Sequence, residues 1–378
     1  MKLNIFLLTL LLIFKFSFAE TVDQLIELAL KNNPQLKKIE KELKVLESKV
    51  HVADKLPNPS FSLSFSDGGK ITVRQYLPWY DKLKINKQIE EKNYEAQIYV
   101  YKLEKNKIVR QIKENAYYVW LYREKIKTLN GLENLLKDIM NRTRDEDRLK
   151  ILLSNIILEK INYHSNLNKK IQELKTVVNS EFSDVEIDLN ENKDFSIDEA
   201  ISKVETASPL IKNLENKLER DRLSYKLSRE IYYPDVTLSL DYKAKEDIKN
   251  AFSMGVGLNV YLPFWRTLSQ EQSVLAQKLF VISQQEQKLE LLINLKYILS
   301  INYEDYLSAK ERLRILKDFS INYENSLKKA INEYAQNVSN FQNFYVIFNE
   351  YKNYKMSILE QVLNVYLSIA RIEELTSD

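Results

Sequence analysis

Seven prolines punctuate 378 residues, and the places where none occurs constrain this chain most. None lies between Pro78 and Pro209, and none follows Pro263. Proline breaks a helix interior because it lacks an N–H and its ring clashes with the preceding turn. Both stretches are therefore free to run as long helices. From Asp81 to about Met140, apolar positions step by three and four: Ile98, Tyr101, Ile108, Ile112, Ala116, Val119, Tyr122, Ile126, Leu129, Leu132, Leu136 and Ile139. Roughly sixty such residues make a helix of about 90 Å, on the coiled-coil scale rather than the globular one. The periodicity predicts a turn near Arg142 to Arg148 and a return through about Val178. The second stretch predicts the same: out from about Thr267 to Glu333, a turn near Tyr334 to Ser339, and back to about Glu374.

Six of the prolines form pairs. Pro34 and Pro209 stand 175 residues apart, Pro59 and Pro234 again 175, and Pro78 and Pro263 185. Their flanks agree as well. Thr21-Val22-Asp23 matches Ser196-Ile197-Asp198, Asn33-Pro34 matches Ser208-Pro209, and Tyr76-Leu77-Pro78-Trp79 matches Tyr261-Leu262-Pro263-Phe264. Matches in one order, with like surroundings, indicate a duplicated unit. The expected organisation is a first repeat over 20–178, a linker over 179–195 with room for one extra strand, and a second repeat over 196–378. In each, Thr21 or Ser196 caps a short helix. Pro34 or Pro209 opens the next, which ends near Lys55 or Ile231.

Alternating segments follow. Phe61, Leu63 and Phe65 alternate with serines, Asp67-Gly68-Gly69 makes a turn, and Ile71 to Leu77 returns, giving a β-hairpin over 59–78. The second hairpin, over 234–263, alternates Val236, Leu238, Leu240 and Tyr242 with Thr237, Ser239 and Asp241. Its other arm alternates Phe252 to Leu262 with Ser253, Gly255, Gly257, Asn259 and Tyr261. One face is apolar and the other small or polar. A membrane barrel with a wet lumen has this pattern, and so has a half-buried sheet in a soluble domain. Helical hairpins over 81–178 and 266–375 complete the two repeats.

Several function classes are excluded by composition. The 56 basic and 53 acidic residues nearly cancel, which leaves no basic excess for nucleic acid. Cysteine is absent, and the two histidines, His51 and His164, stand alone in charge-rich helical sequence. No phosphate loop, metal-spaced cluster or nucleophile elbow occurs. The expectation is a protein without catalytic, cofactor-binding or metal residues, and an enzyme is the least favoured reading. Lys2, an apolar run from Ile5 to Phe18 and Ser17-Phe18-Ala19 read as an export signal over 1–19, too short to span a bilayer.

Four strands cannot close a membrane barrel, since the smallest need about eight. Their open edges must pair with something, and copies of the same chain are the economical partner. A trimer gives twelve strands, and the same symmetry sets the long helices around one axis.

With these elements in order, the chain resembles the TolC family of outer-membrane efflux and secretion channels. The stretch Thr-Val-Asp-Gln-Leu-Ile-Glu-Leu-Ala-Leu-Lys-Asn-Asn-Pro at 21–34 resembles the family's opening motif, and the duplication, the Leu-Pro-aromatic strand ends and the helical hairpins also match. The resemblance covers essentially all of the chain after the export signal. It implies a mainly α homotrimer with a twelve-stranded β-barrel continued by an α-helical barrel. It also implies an outer-membrane location with a long periplasmic extension. A periplasmic adaptor protein, and through it an inner-membrane pump, are the implied partners. The implied role is a passive, gated conduit.

At the second helical turn, Tyr334 matches the tyrosine of the family's tyrosine-x-x-glycine turn, and Asn337 replaces the glycine. Asn tolerates the left-handed conformation that glycine supplies there. Ser339 stands where well-known members carry a latching arginine, and Asn343 where they carry an entrance aspartate. The first turn is charged instead: Arg142, Arg144, Asp145, Glu146, Asp147 and Arg148. It reads either as a solvated turn or as an ionic latch or adaptor contact at the entrance. Aromatics at the strand–helix junctions, Tyr76, Trp79, Tyr80, Tyr261, Phe264 and Trp265, read either as a belt at the membrane interface or as packing above the helices. The rival architecture is a periplasmic coiled-coil scaffold or adaptor without a barrel, which leaves the four alternating strands unexplained. The exported substrate, whether metal ion, drug or polypeptide, is not written in the sequence.

Overall fold

A computed structural model describes residues 19–65, 69–143, 146–189, 195–230, 233–245, 248–260, 268–336 and 338–377. Residues 1–18 of the expected export signal, Asp67 and Gly68, Arg144 and Asp145, Asn337, and Tyr261, Phe264 and Trp265 lie outside the described residues. The elements in chain order begin with β1 (Glu20–Thr21), α1 (Val22–Asn32), α2 (Pro34–Val52), β2 (Ser60–Ser64), β3 (Lys70–Leu77), α3 (Tyr80–Met140) and α4 (Glu146–Val178). They continue with β4 (Val185–Glu186), α5 (Ile197–Ala207), α6 (Pro209–Arg229), β5 (Asp235–Lys245), β6 (Ile248–Asn259), α7 (Leu268–Asp318), α8 (Ser320–Ala335) and α9 (Phe341–Thr376). The order of two short helices, two strands and long helices thus occurs twice.

Local chemistry sets the starts. Thr21 Oγ1 accepts from the Gln24 backbone N–H at 3.3 Å, while Gln24 Oε1 accepts from the Thr21 N–H at 2.9 Å. This capping box satisfies two donors that the first turn of α1 would otherwise orphan. Both residues before the paired prolines are extended: Asn33 has φ −60° and ψ 124°, Ser208 φ −53° and ψ 123°. A proline ring disfavours the helical conformation in the residue before it, so each joint ends one helix and opens the next. Asn33 Oδ1 then accepts from the Gln35 N–H at 2.8 Å.

The chain divides into two compact units. One comprises residues up to Leu36, Glu104–Thr206 and Leu295–Ser377, and the other Lys37–Leu103 and Ala207–Asn294. In the first, Leu129, Leu132, Leu136 and Ile139 of α3 pack with Leu149, Leu152 and Ile156 of α4 and with Leu327, Tyr334, Phe344 and Phe348 of α8 and α9. The three-and-four spacing seen in the sequence is the buried stripe. Ion pairs flank it: Lys160 to Glu133 at 2.5 Å, Lys352 to Glu159 at 2.9 Å and Lys125 to Glu360 at 2.7 Å. The linker contributes β4, which pairs in parallel with β1, Glu20 opposite Val185. Arg123 donates to the Val185 carbonyl at 2.7 Å.

One departure from the expected elements is a break. The sequence predicts a single helix from about Thr267 to Glu333, but α7 ends at Asp318 and α8 begins at Ser320. Phe319 between them has φ −90° and ψ 3°. The Tyr354 hydroxyl donates to the Leu316 carbonyl at 3.1 Å. That carbonyl is the i−4 position of Ser320, and a side chain reaching into the ladder breaks a helix without proline. Stacking of Tyr354 on Tyr323, with ring centroids 4.2 Å apart, holds the hydroxyl there.

The second unit holds the sheet. Its strand order is β2-β3-β5-β6, all neighbours antiparallel. It is an open four-stranded sheet and not a closed barrel.

Candidate functional site

The register sorts the sheet into two faces. Leu63, Ile71, Tyr242 and Phe252 form one cross-strand row, and Phe61, Val73, Leu240 and Met254 the next. Leu238 lies opposite Val256, and Val236 opposite Leu258. Every member of these rows falls on one face because side chains alternate with period two. Much of that face is open: Phe61 is 63% exposed, Phe252 76% and Met254 73%. A contiguous apolar surface of this kind marks contact with lipid or protein.

The opposite face carries Ser60, Ser62, Thr72, Arg74, Thr237, Ser239, Gly255 and Gly257, each in register. The glycine at 255 has a local reason. A Cβ there would meet the Ser239 Oγ at 2.6 Å. Gly69, at φ +81°, supplies the left-handed conformation in the first hairpin's turn.

Where β3 passes into α3, the buried Asp235 accepts four hydrogen bonds from three donor groups. Tyr76 Oη donates to Oδ2 at 2.6 Å, the Trp79 backbone N–H to Oδ1 at 2.9 Å, and Lys82 Nζ reaches both oxygens at 2.8 Å. Trp79 also stacks on Tyr233 with centroids 5.5 Å apart. This cluster fixes the angle at which strand becomes helix. Sequence reasoning passed over Asp235, although it follows Pro234 and alternates in phase with Thr237, Ser239 and Asp241. By residue type Tyr76 reads as a belt aromatic. The register instead places it opposite Thr237, on the polar face. Trp79 is 40% exposed and Tyr80 75%.

The helical turns lie in the first unit. At the first, Glu146 and Asp147 occupy the opening turn of α4, where carboxylates favour the helix dipole. Glu146 pairs with Lys150 one turn on, at 2.7 Å, and holds that ammonium above its ordinary pKa. The Arg142 N–H closes α3 on the Ile139 carbonyl. The Arg148 guanidinium lies 5.8 Å from the Phe341 ring centroid, so the first turn reaches the second. At the second turn, Tyr334 is buried and stacks on Phe344 at 4.9 Å and 10°. Asn340 Oδ1 caps α9 by accepting from the Asn343 N–H at 2.9 Å, and the Asn343 amide donates to Ser339 Oγ at 2.9 Å.

Among the described residues no group of His, Asp and Glu is placed to hold a metal ion, and no helix is long and apolar enough to cross a membrane.

No family model matches the sequence, and no curated protein matches it. Solved structures do match. The outer-membrane channel OprN superposes with a TM-score of 0.80 at 12% identity, over 94% of this chain and 90% of that one. The Campylobacter jejuni CmeC outer membrane channel gives 0.79 at 13%, over 94% and 87%. The open state of the Neisseria gonorrhoeae MtrE outer membrane channel gives 0.77 at 12%, over 94% and 88%. The chain has the fold of these channels from end to end of its described residues.

Proposed function

We propose that this chain is a TolC-family outer-membrane channel, the outer component of a tripartite efflux or type I secretion system. The observation that carries the reading is the sheet. Four registered strands with one continuous apolar face and two open edges, β2 and β6, are unfinished in a single chain. In a bilayer every backbone group needs a partner, so open edges must close against other copies. Three copies make twelve strands, a size that encloses a water-filled lumen. The apolar face then meets lipid and the polar face lines the pore. The likeness in fold to OprN, CmeC and MtrE supports the same arrangement.

On this reading residues 1–19 are removed on export. The helical hairpins form a periplasmic tunnel that docks an adaptor, and the adaptor supplies the connection to an inner-membrane pump. The channel itself is passive. Its entrance lies at the two helical turns, with Arg142, Glu146, Asp147, Arg148, Tyr334, Ser339 and Asn343 around it. Trp79 and Tyr80 are the interface aromatics among the described residues. The 20–178 and 196–378 repeats contribute one hairpin of each kind apiece.

The test is paired. The protein should fractionate with the outer membrane and run as a trimer in mild detergent. Within it, Leu238→Arg should lower assembly far more than Ser239→Arg. A cationic side chain on the lipid face costs about 2–4 kcal/mol near the bilayer midplane and much less in the lumen. A monodisperse monomer in plain buffer would favour the periplasmic scaffold, and equal yields of the two variants would reverse the faces.

A further inference from the structure

The polar face of the sheet is not neutral. Lys70 stands directly opposite Lys243 across the β3–β5 pair, and Arg74 stands opposite Ser239 four residues further along, beyond the Thr72–Asp241 row. Like charges directly opposed destabilise a sheet, so packing gives no reason for the lysine pair. Two carboxylates share the face, and both are taken. Asp241 accepts from Thr72 Oγ1 at 2.5 Å and lies 3.1 Å from Lys70 Nζ. Asp235 is bound on both oxygens by Lys82. That leaves Arg74 and Lys243 in surplus among the described residues, both exposed. The residues around Arg74 are small: Ser60, Ser239 and Gly255 complete its row. Small neighbours leave the guanidinium uncrowded, and the Asp241 carboxylate that it also attracts is already engaged by Thr72 and Lys70.

We infer that Lys70, Lys243 and Arg74 form an electropositive collar inside the barrel that makes the pore prefer anionic to cationic solutes. The inference rests on the channel reading above, and deepens it by naming a solute class. The collar has two levels. Four residues separate Lys70 from Arg74, about 13 Å along a strand. The lysine level lies next to the hairpin turns, at the mouth farthest along the strands from the helices. Threefold repetition would set each surplus charge around the axis. In water, one unit charge about 10 Å from a passing ion changes that ion's local concentration about twofold, before screening. Several such charges in a ring multiply that factor, and a water-excluding wall raises it further. A free metal cation would meet the collar as a barrier, whereas a solute carrying carboxylate or phosphate would be drawn in.

The experiment is a reversal potential across a planar bilayer holding the purified channel between unequal potassium chloride solutions. The wild type should reverse on the chloride side. The double variant Arg74→Ser, Lys243→Ser should shift severalfold toward potassium, and Asp241→Asn should shift the opposite way. Arg74→Lys should keep the wild-type value. The wild-type preference should also fade with salt, because screening shortens from about 10 Å at 0.1 M to about 3 Å at 1 M. That salt series needs no variant, so it stands if the double variant fails to assemble. A conducting double variant with an unchanged reversal potential would overturn the collar. So would a wild type without chloride preference at low salt. A wild type that never conducts would defeat the channel reading itself, and the collar with it.

Discussion

The two helical turns of the first unit occupy matching places in the duplicated order, yet they are held by different forces. The first, where the Arg142 N–H closes α3 on the Ile139 carbonyl, carries exposed charges, and Glu146 is paired with Lys150 on its own helix. The second, around 336–340, is made of aromatics and amides. Tyr334 and Phe344 stack inside the shared core, and Asn340 caps the returning helix. Besides that shared core, Arg148 over Phe341 joins the two turns. A duplicated backbone plan therefore leaves the forces at equivalent turns free to differ. One turn has become a packed joint and the other a solvated one.

The contrast can be broken most directly at Tyr334. Tyr334→Ala removes a buried ring and its stack on Phe344, and large aromatic-to-alanine changes in cores cost about 3–5 kcal/mol. Limited proteolysis should cut the second turn much faster in this variant, while Tyr334→Phe keeps the stack and most of the protection. Unchanged proteolysis of the alanine variant would show that the aromatics do not hold the joint. Next in size, Asn340→Ala removes a helix cap and should cost about 1 kcal/mol, read as a lower unfolding midpoint. Arg148→Ala should cost less, about 0.5–1 kcal/mol for an exposed cation over a ring. A double-mutant cycle with Phe341→Ala isolates that term, and zero coupling would separate the two turns.

The pH response sharpens the comparison further. Each hairpin is stitched across its helices by a lysine–glutamate pair, Lys160 to Glu133 in the first and Lys355 to Glu324 in the second. Lys137 and then Lys160 hold the Glu133 carboxyl below its ordinary value of 4.5. A depressed carboxyl contributes stability above that ordinary value and loses it as pH falls through the folded one. At Lys355 burial opposes the charge, but Glu324 and Tyr351 outweigh it and raise the ammonium above its ordinary 10.5. That contribution is complete below the ordinary value and fades as pH climbs through the raised one. Hydrogen exchange should therefore loosen the first hairpin on the acid side and the second on the alkaline side. Identical profiles would contradict this. The smallest stability change is expected from neutralising Asp145, Glu146 and Asp147 together, because solvated charges contribute little. If single-channel conductance nevertheless rises in that variant, the first turn is a latch as well as a turn.

Much of this was legible in the residues. The capping box at Thr21, the joints at Pro34 and Pro209, the buried stripe of α3 and the alternating strands are all written within a few positions of where they act. The break at Phe319 was not, because its agent, Tyr354, lies far along the chain and acts through one hydroxyl. The Asp235 cluster was half legible. Its phase with Thr237 was in the sequence, but its three donors come from β3, α3 and the turn between them. Tyr76 carries two signals: its phase with Thr72 and Arg74 sets it on the polar face, while its aromatic ring is what reads as belt.

Taken alone, then, the sequence determined which segments are helix or strand, where most of them start and stop, and which residues share a face. Those properties follow from periodicity and capping, which act over one or two turns. Only the tertiary structure decided that β3 and β5 lie side by side, setting Lys70 against Lys243, and that both helical hairpins close on one core around Tyr334 and Phe344. Such pairings join residues far apart in the chain, and local propensity carries no term for which distant partner wins. What selects them is the burial of apolar stripes and the satisfaction of strand edges across the whole fold.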